Sequence, residues 1–238
     1  MISVTRALRA RARGIGVGVF AAPAAAMGAA LDALDGLEVV HFDIMDGVFV
    51  PQLTGGAAFV AALGTEVLRD VHLMVANPSA QVAGFAAAGA DIITVHAEAP
   101  GAAEALARVR AEAERLGRPI LAGLGVMPGT EIADLDALLA LEPDLVLVLA
   151  LDPRDGAPAN VPEAAARLAA LRARCAPFAP VLAIDGGITD KSIEAACATG
   201  ADLVVSGSAI FKAADPAEML ARLSAVRAAN DLGGDHAK

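Results

Sequence analysis

His41 and Asp43 stand two residues apart in the apolar run His41-Phe42-Asp43-Ile44-Met45. His72 falls in a second run, Asp70-Val71-His72-Leu73-Met74, and Asp185 ends a third, Val181-Leu182-Ala183-Ile184-Asp185. Residues two apart in an extended strand point to the same side, so His41 and Asp43 can face one space together. Imidazole nitrogen combined with carboxylate oxygen suits zinc, manganese or ferrous iron. It suits calcium less, which prefers all-oxygen shells, and copper(I) less, which prefers sulfur. A single His at a strand end is ordinarily a hydrogen-bonded core residue. Here two of only four His occupy the ends of successive strands, and that coincidence favours a metal.

The elements that must position these residues repeat along the chain. Runs rich in Val, Ile and Leu occur at 15–21, 37–43, 67–73, 91–96, 119–126, 144–150, 181–185 and 202–206. Between them lie segments such as Pro78 to Ala88, Ala102 to Leu116, Pro162 to Arg174 and Pro216 to Ala229, with apolar residues three and four apart. Strand-helix alternation predicts a parallel sheet, and eight units predict a single-domain (β/α)8 TIM barrel, with an open doubly wound sheet as the alternative. Active sites in such barrels gather where strands end, and His41, Asp43, His72 and Asp185 all fall there. Asp185-Gly186-Gly187 and Ser206-Gly207-Ser208 follow the seventh and eighth strands, where barrels often hold a phosphate on backbone N–H groups. Gly14, Gly16 and Gly18 resemble a dinucleotide loop only superficially, since they fall inside the first strand and have the wrong spacing.

Composition narrows the partners. The chain has 238 residues, 56% of them apolar, without Trp or Tyr, so its core is built from small and branched aliphatic side chains and stacking on nucleobases is disfavoured. A net charge of −10 argues against nucleic acid, and no membrane association is expected. Cys175 and Cys197 are too few and too far apart for a disulfide framework, which fits a reducing cytoplasm. Arg6, Arg9, Arg11 and Arg13 before the apolar run 15–26 superficially suggest a signal peptide, but that run is needed as the first strand. The expected layout is an Arg-rich N-terminal extension at 1–14, the barrel at 15–229 and a disordered tail at 230–238 that contains His236.

The motifs resemble the ribulose-phosphate 3-epimerase family over about Ile15 to Leu223. The resemblance is carried by His41-x-Asp43-x-Met45-Asp46-Gly47-x-Phe49-Val50-Pro51, by Asp70-Val71-His72-Leu73-Met74-Val75 with Asn77-Pro78, and by Gly89-Ala90-Asp91 leading into His96-Ala97-Glu98. Asp185-Gly186-Gly187 and Ser206-Gly207-Ser208-Ala209-Ile210-Phe211 complete it. It implies one divalent metal, zinc before iron or manganese, on His41, Asp43, His72 and Asp185, with Asp43 and Asp185 also the proton-transfer pair. His72, Met45, Met74, Gly186, Gly187, Gly207 and Ser208 would meet the substrate. A cytoplasmic homo-oligomer of pentose phosphate metabolism is implied as well.

The chemistry accounts for those residue types. Inverting a carbon beside a ketone needs one group to remove its proton and another to return a proton on the opposite face. A Lewis-acidic ion stabilises the enediolate charge, and two methionines supply a polarizable, water-poor lining. His96 and Glu98 are expected to support the site rather than to react.

Two stretches depart from the pattern. The family's Asn-Pro-Gly-Phe-Gly-Gly-Gln loop after the sixth strand corresponds here to Asp152-Pro153-Arg154-Asp155-Gly156-Ala157-Pro158, with Arg154 offered as a replacement phosphate ligand. A substrate-binding serine of the first strand corresponds to Gly18, and a third methionine to Leu149. The expected activity is C3 epimerisation of ribulose 5-phosphate and xylulose 5-phosphate. The alternatives are epimerisation or isomerisation of another ketose or ketose phosphate, and a non-catalytic barrel that binds a metal or a sugar phosphate.

Overall fold

A computed structural model describes residues 2–63, 66–198 and 200–233. Eight parallel strands close into a barrel in sequence order: β1 Gly14–Gly18, β2 Val39–Met45, β3 Leu68–Met74, β4 Ile92–His96, β5 Leu121–Val126, β6 Leu145–Leu149, β7 Val181–Asp185 and β8 Leu203–Ser206. The expected (β/α)8 barrel is the observed fold. No helix among the described residues is long and apolar enough to cross a membrane.

Side chains of alternate sign along each strand build two cores. One face packs outward on helices such as Pro78–Ala87, Ala102–Leu116, Val161–Cys175 and Pro216–Gly233. The other fills the barrel, with Val39, Leu68, Ile92, Leu121, Leu145, Val181 and Leu203 at its floor. Helix starts follow local chemistry: the Asn77 side chain accepts from Ala80 N–H ahead of a proline-led first turn, and Asn160 accepts from Glu163 N–H in the same way.

A repeated device pins the barrel floor. Asp91, Asp144 and Asp202 stand just before β4, β6 and β8, and each accepts a backbone N–H from the preceding strand, from Arg69, Ala122 and Leu182 at 3.0, 3.0 and 2.9 Å. The arginine-rich start of the chain uses two of these carboxylates. It forms a helix, Ile2–Arg11, whose Leu8, together with Ala12 just beyond it, joins the floor of the barrel core. Arg9 pairs with Asp144, and Arg13 with Asp202 at 2.9 Å. This segment packs under the barrel floor, at the end opposite the site.

Strand limits differ from the expected ones in a way that matters. β1 ends at Gly18 and turns into a 3-10 segment, Val19–Ala21, instead of running to residue 21. β2 and β3 run on to Met45 and Met74, so His41 lies within β2 and His72 two residues short of the end of β3. Both imidazoles are therefore sealed inside the barrel. At the other terminus the last helix continues through Gly233. The remainder of the expected tail, 234–238 with His236, lies outside the described residues.

Candidate metal and proton-transfer site

Register brings the four ligand candidates together. Asp43 lies opposite His72 across β2 and β3, while Asp185 arrives from β7. One nitrogen or carboxylate oxygen from each of His41, Asp43, His72 and Asp185 lies within 4.8 Å of the others. Asp43 Oδ1 is 3.2 Å from both His41 Nε2 and His72 Nδ1, and Asp185 Oδ2 is 3.6 Å from the same two nitrogens. The donor set is two imidazole nitrogens and two carboxylates, which fits a divalent transition metal or zinc.

Electrostatics point the same way. Burial opposes charge on every member, yet Asp70, Asp43 and Asp185 hold the His41 pKa well above the ordinary imidazole value. His72 is raised too, with Asp185 and Asp43 outweighing burial. Reciprocally, His41 and His72 hold Asp43 far below the usual carboxylate range, and Asp185 is lowered despite burial and the nearby charge of Asp43. Two carboxylates this close need positive charge between them, which either imidazolium protons or a divalent cation provides.

A second layer of polar groups stands behind the imidazoles. Asp70 Oδ2 lies 2.7 Å from His41 Nδ1, with both side chains fully buried. His96 Nε2 lies 2.7 Å from His72 Nε2. His96 Nδ1 lies 3.0 Å from Glu98 Oε2, and Glu98 Oε1 accepts from Met127 N–H at 2.9 Å and from the Thr130 hydroxyl. Burial lowers the His96 pKa. Against a burial penalty, the bonds from His96, Thr130 and Met127 bring Glu98 down to about 2. Sequence reasoning assigned no role to Asp70 or Thr130. Asp70 was findable, since it lies two residues before His72 on the same strand face. Thr130 was not, because its contact to Glu98 depends on how the loop after β5 returns to the barrel.

The site opens upward into a cavity of about 200 Å³ lined by Met45, Met74, Asp43, Asp185, Gly186, Gly187, Gly207 and Ser208, with Gly18 and Leu149. The Asp43 and Asp185 side chains are 27% and 11% exposed, whereas those of His41 and His72 are fully covered, so a small molecule in the cavity reaches the carboxylates and not the rings. Gly187 is required by its geometry: φ is +67°, and a Cβ there would lie 2.4 Å from Ala159 Cβ. Arg154 is not among the cavity-lining residues. Its guanidinium pairs with Asp152, Nε to Oδ1 at 2.8 Å, and lies 5.9 Å from the centroid of the Phe49 ring.

The profile of the ribulose-phosphate 3 epimerase family matches residues 15–211. The chain belongs to the ribulose-phosphate 3-epimerase family. It is 37% identical to the ribulose-phosphate 3-epimerase of Mycobacterium tuberculosis strain H37Rv over 198 residues, covering 80% of this chain and 82% of the relative. It is 36% identical to that of Synechocystis over 201 residues, covering 82% and 86%. Among solved structures, 3-hexulose-6-phosphate synthase of Salmonella typhimurium superposes with a TM-score of 0.64 at 20% identity, over 85% of this chain and 92% of that one. Orotidine 5'-phosphate decarboxylase of Pyrococcus horikoshii superposes with a TM-score of 0.63 at 15% identity, over 90% and 99%. These two likenesses concern the fold. The epimerase relationship rests on the sequence matches and agrees with the carboxylate pair at the barrel mouth.

Proposed function

We propose that this chain inverts C3 of a ketose phosphate, interconverting ribulose 5-phosphate and xylulose 5-phosphate. The observation that carries this reading is the placement of Asp43 and Asp185, from strands on different sides of the barrel, against the same two imidazole nitrogens and at the base of one cavity. A carbon seated between them has a carboxylate toward each face. One removes the C3 proton, and the other returns a proton from the opposite side, so the configuration inverts. A bound divalent ion, zinc by preference for two imidazoles and two carboxylates, supplies Lewis-acid stabilisation of the charge that develops on the neighbouring oxygen.

The remaining residues bind and exclude water. His41 and His72 lie beneath the carboxylates, fully buried, and take part through them and through the metal rather than by touching the substrate. Met45, Met74 and Leu149 give the cavity apolar walls that keep solvent from the planar, proton-deficient species. Backbone N–H groups around Gly186, Gly187, Gly207 and Ser208 receive the phosphate, and glycine lets it approach closely. Arg154 joins them only by leaving Asp152, which makes it a ligand for a substrate that closes the 152–158 loop. We further read the protein as a cytoplasmic homo-oligomer.

The altered loop and Gly18 favour a second reading, the same chemistry on another ketose phosphate. Proton-deuterium exchange at C3, followed by NMR on the zinc-reconstituted protein in D2O, separates the two. Ribulose 5-phosphate is expected to exchange and convert to xylulose 5-phosphate, and Asp185→Asn to lose both. Exchange confined to a different ketose phosphate would transfer the assignment to that sugar. Near-normal turnover by Asp185→Asn, or no exchange with any ketose phosphate, would overturn the reading.

A further inference from the structure

We propose that Glu98 and His96 act as positioning residues that set the tautomer of His72 and thereby keep its Nδ1 lone pair directed at Asp43 and Asp185. The inference rests on the metal reading of the His41, Asp43, His72 and Asp185 cluster. It starts from a directional chain of contacts. His72 Nδ1 faces the carboxylates at 3.2 and 3.6 Å, and His72 Nε2 faces His96 Nε2 at 2.7 Å. Two ring nitrogens at that distance share one proton, so one donates and the other accepts. His72 offers a lone pair at Nδ1 only when its own proton sits on Nε2. His96 Nε2 must then accept, which puts the His96 proton on Nδ1, where it donates to Glu98 Oε2 at 3.0 Å.

Glu98 fixes the direction of this chain because it has no other choice. Its second oxygen already accepts Met127 N–H and the Thr130 hydroxyl, and a carboxylate only accepts. A backbone N–H cannot reverse its role, so the polarity is anchored in the main chain after β5 and passes through His96 to His72. His72 and His96 are fully buried, their rings stack at 4.9 Å between centroids, and Phe49 covers His96 with its centroid 5.5 Å away. Water therefore has little access to substitute for a member of the chain. His41 has the parallel arrangement in one step, with Nδ1 on Asp70 and Nε2 toward the carboxylates.

Glu98→Gln tests the direction with almost no change of shape. If the new amide oxygen stays on Met127 N–H and Thr130, its NH2 group faces His96 Nδ1. His96 must then accept there and carry its proton on Nε2, and His72 must move its proton to Nδ1. The opposite amide orientation sets NH2 against Met127 N–H, donor against donor. His96→Gln is the complementary variant, because its amide oxygen can still accept at the position of His96 Nε2. Zinc binding is measured by competition titration, and the His72 tautomer by 15N NMR of the zinc-loaded protein. Wild type is expected to show a proton on His72 Nε2. Glu98→Gln is expected to bind zinc about 10–100-fold more weakly while melting near the wild-type temperature, and His96→Gln to stay closer to wild type than Glu98→Gln does. Wild-type zinc affinity in Glu98→Gln, with the His72 Nε2 proton retained, would overturn this inference alone. Failure of the wild-type protein to bind zinc would overturn the metal reading and the inference with it.

Discussion

Gly187 lies where the chain turns from β7 over the cavity, and Gly187→Ala should damage it twice over. Its φ of +67° is a conformation in which an L side chain crowds its own backbone, at a cost of about 1–2 kcal/mol. The added Cβ would also fall 2.4 Å from Ala159 Cβ, far inside ordinary contact. Relieving that overlap by moving one loop against the other costs about 1–3 kcal/mol. Together the two effects give about 2–5 kcal/mol, which for a domain of this size lowers Tm by roughly 4–20 °C.

The two contributions separate in a double-mutant cycle. Ala159→Gly removes the atom that the new methyl group strikes but leaves the backbone conformation as it was. The pair Gly187→Ala with Ala159→Gly should therefore recover only the steric share, a coupling of about 1–3 kcal/mol. Thermal and urea unfolding of the four proteins measures this, and KM for the ketose phosphate should rise in Gly187→Ala because the residue borders the cavity. A Gly187→Ala protein that melts within about 2 °C of wild type, or a cycle without coupling, would refute the argument.

Other residues give shorter tests. Asp70→Ala strands His41 Nδ1 in a sealed position and should weaken zinc binding about 10–100-fold by competition titration. Leu8→Ala opens a hole beneath the barrel floor and should lower the urea-unfolding free energy by about 2–5 kcal/mol without changing kcat. Glu98 is depressed to about 2 in the folded protein against an ordinary value of 4.5, so its contribution is complete above pH 4.5 and is lost as pH falls toward 2. Wild type should accordingly lose more stability than Glu98→Gln between pH 5 and pH 3 in urea titrations. Gly18→Ser places its Cβ no closer than 3.4 Å to Gly207, with an ordinary negative φ of −68°, so it should fold normally. Its hydroxyl adds a donor to the cavity and should lower KM for ribulose 5-phosphate by about 2–12-fold, the worth of one hydrogen bond; an unchanged or raised KM would count against the proposed substrate.

What could be read in the sequence follows from how each feature is encoded. Strand alternation and helical spacing are local, and they located all eight strands to within a few residues. The gathering of His41, Asp43, His72 and Asp185 at one place was legible because His41 and Asp43 share a strand face and because each of the four lies near the carboxyl end of a strand. Arg154 was harder, since only the folded loop shows its guanidinium engaged by Asp152 two residues earlier. The role of the arginine-rich start was hidden for a different reason. Arg9 and Arg13 find their partners, Asp144 and Asp202, more than a hundred residues away, and no local pattern announces such a pairing.

The barrel divides its labour around its circumference. Between β2 and β7, which carry Asp43 and Asp185, the short way round passes through β1 and β8. The cavity is bordered there by Gly18, Val205 and Gly207, and a Cβ on Gly207 would meet Gly18 O at 2.8 Å, so the two backbones nearly touch. Small residues on that side leave space for a ligand between the two carboxylates. On the other side β3 and β4 present Asp70, His72 and His96 inside the barrel, and these buried polar groups hold the imidazoles. Strands so supported change little when a surface loop changes, because their hydrogen bonds and packing do not depend on it. The 152–158 loop, with its exposed Arg154 and Asp155, can therefore alter how a substrate is gripped while Asp43 and Asp185 keep their positions. Divergence in that loop is thus compatible with retained epimerase chemistry, and it places any difference in specificity at the rim, where the cavity meets solvent.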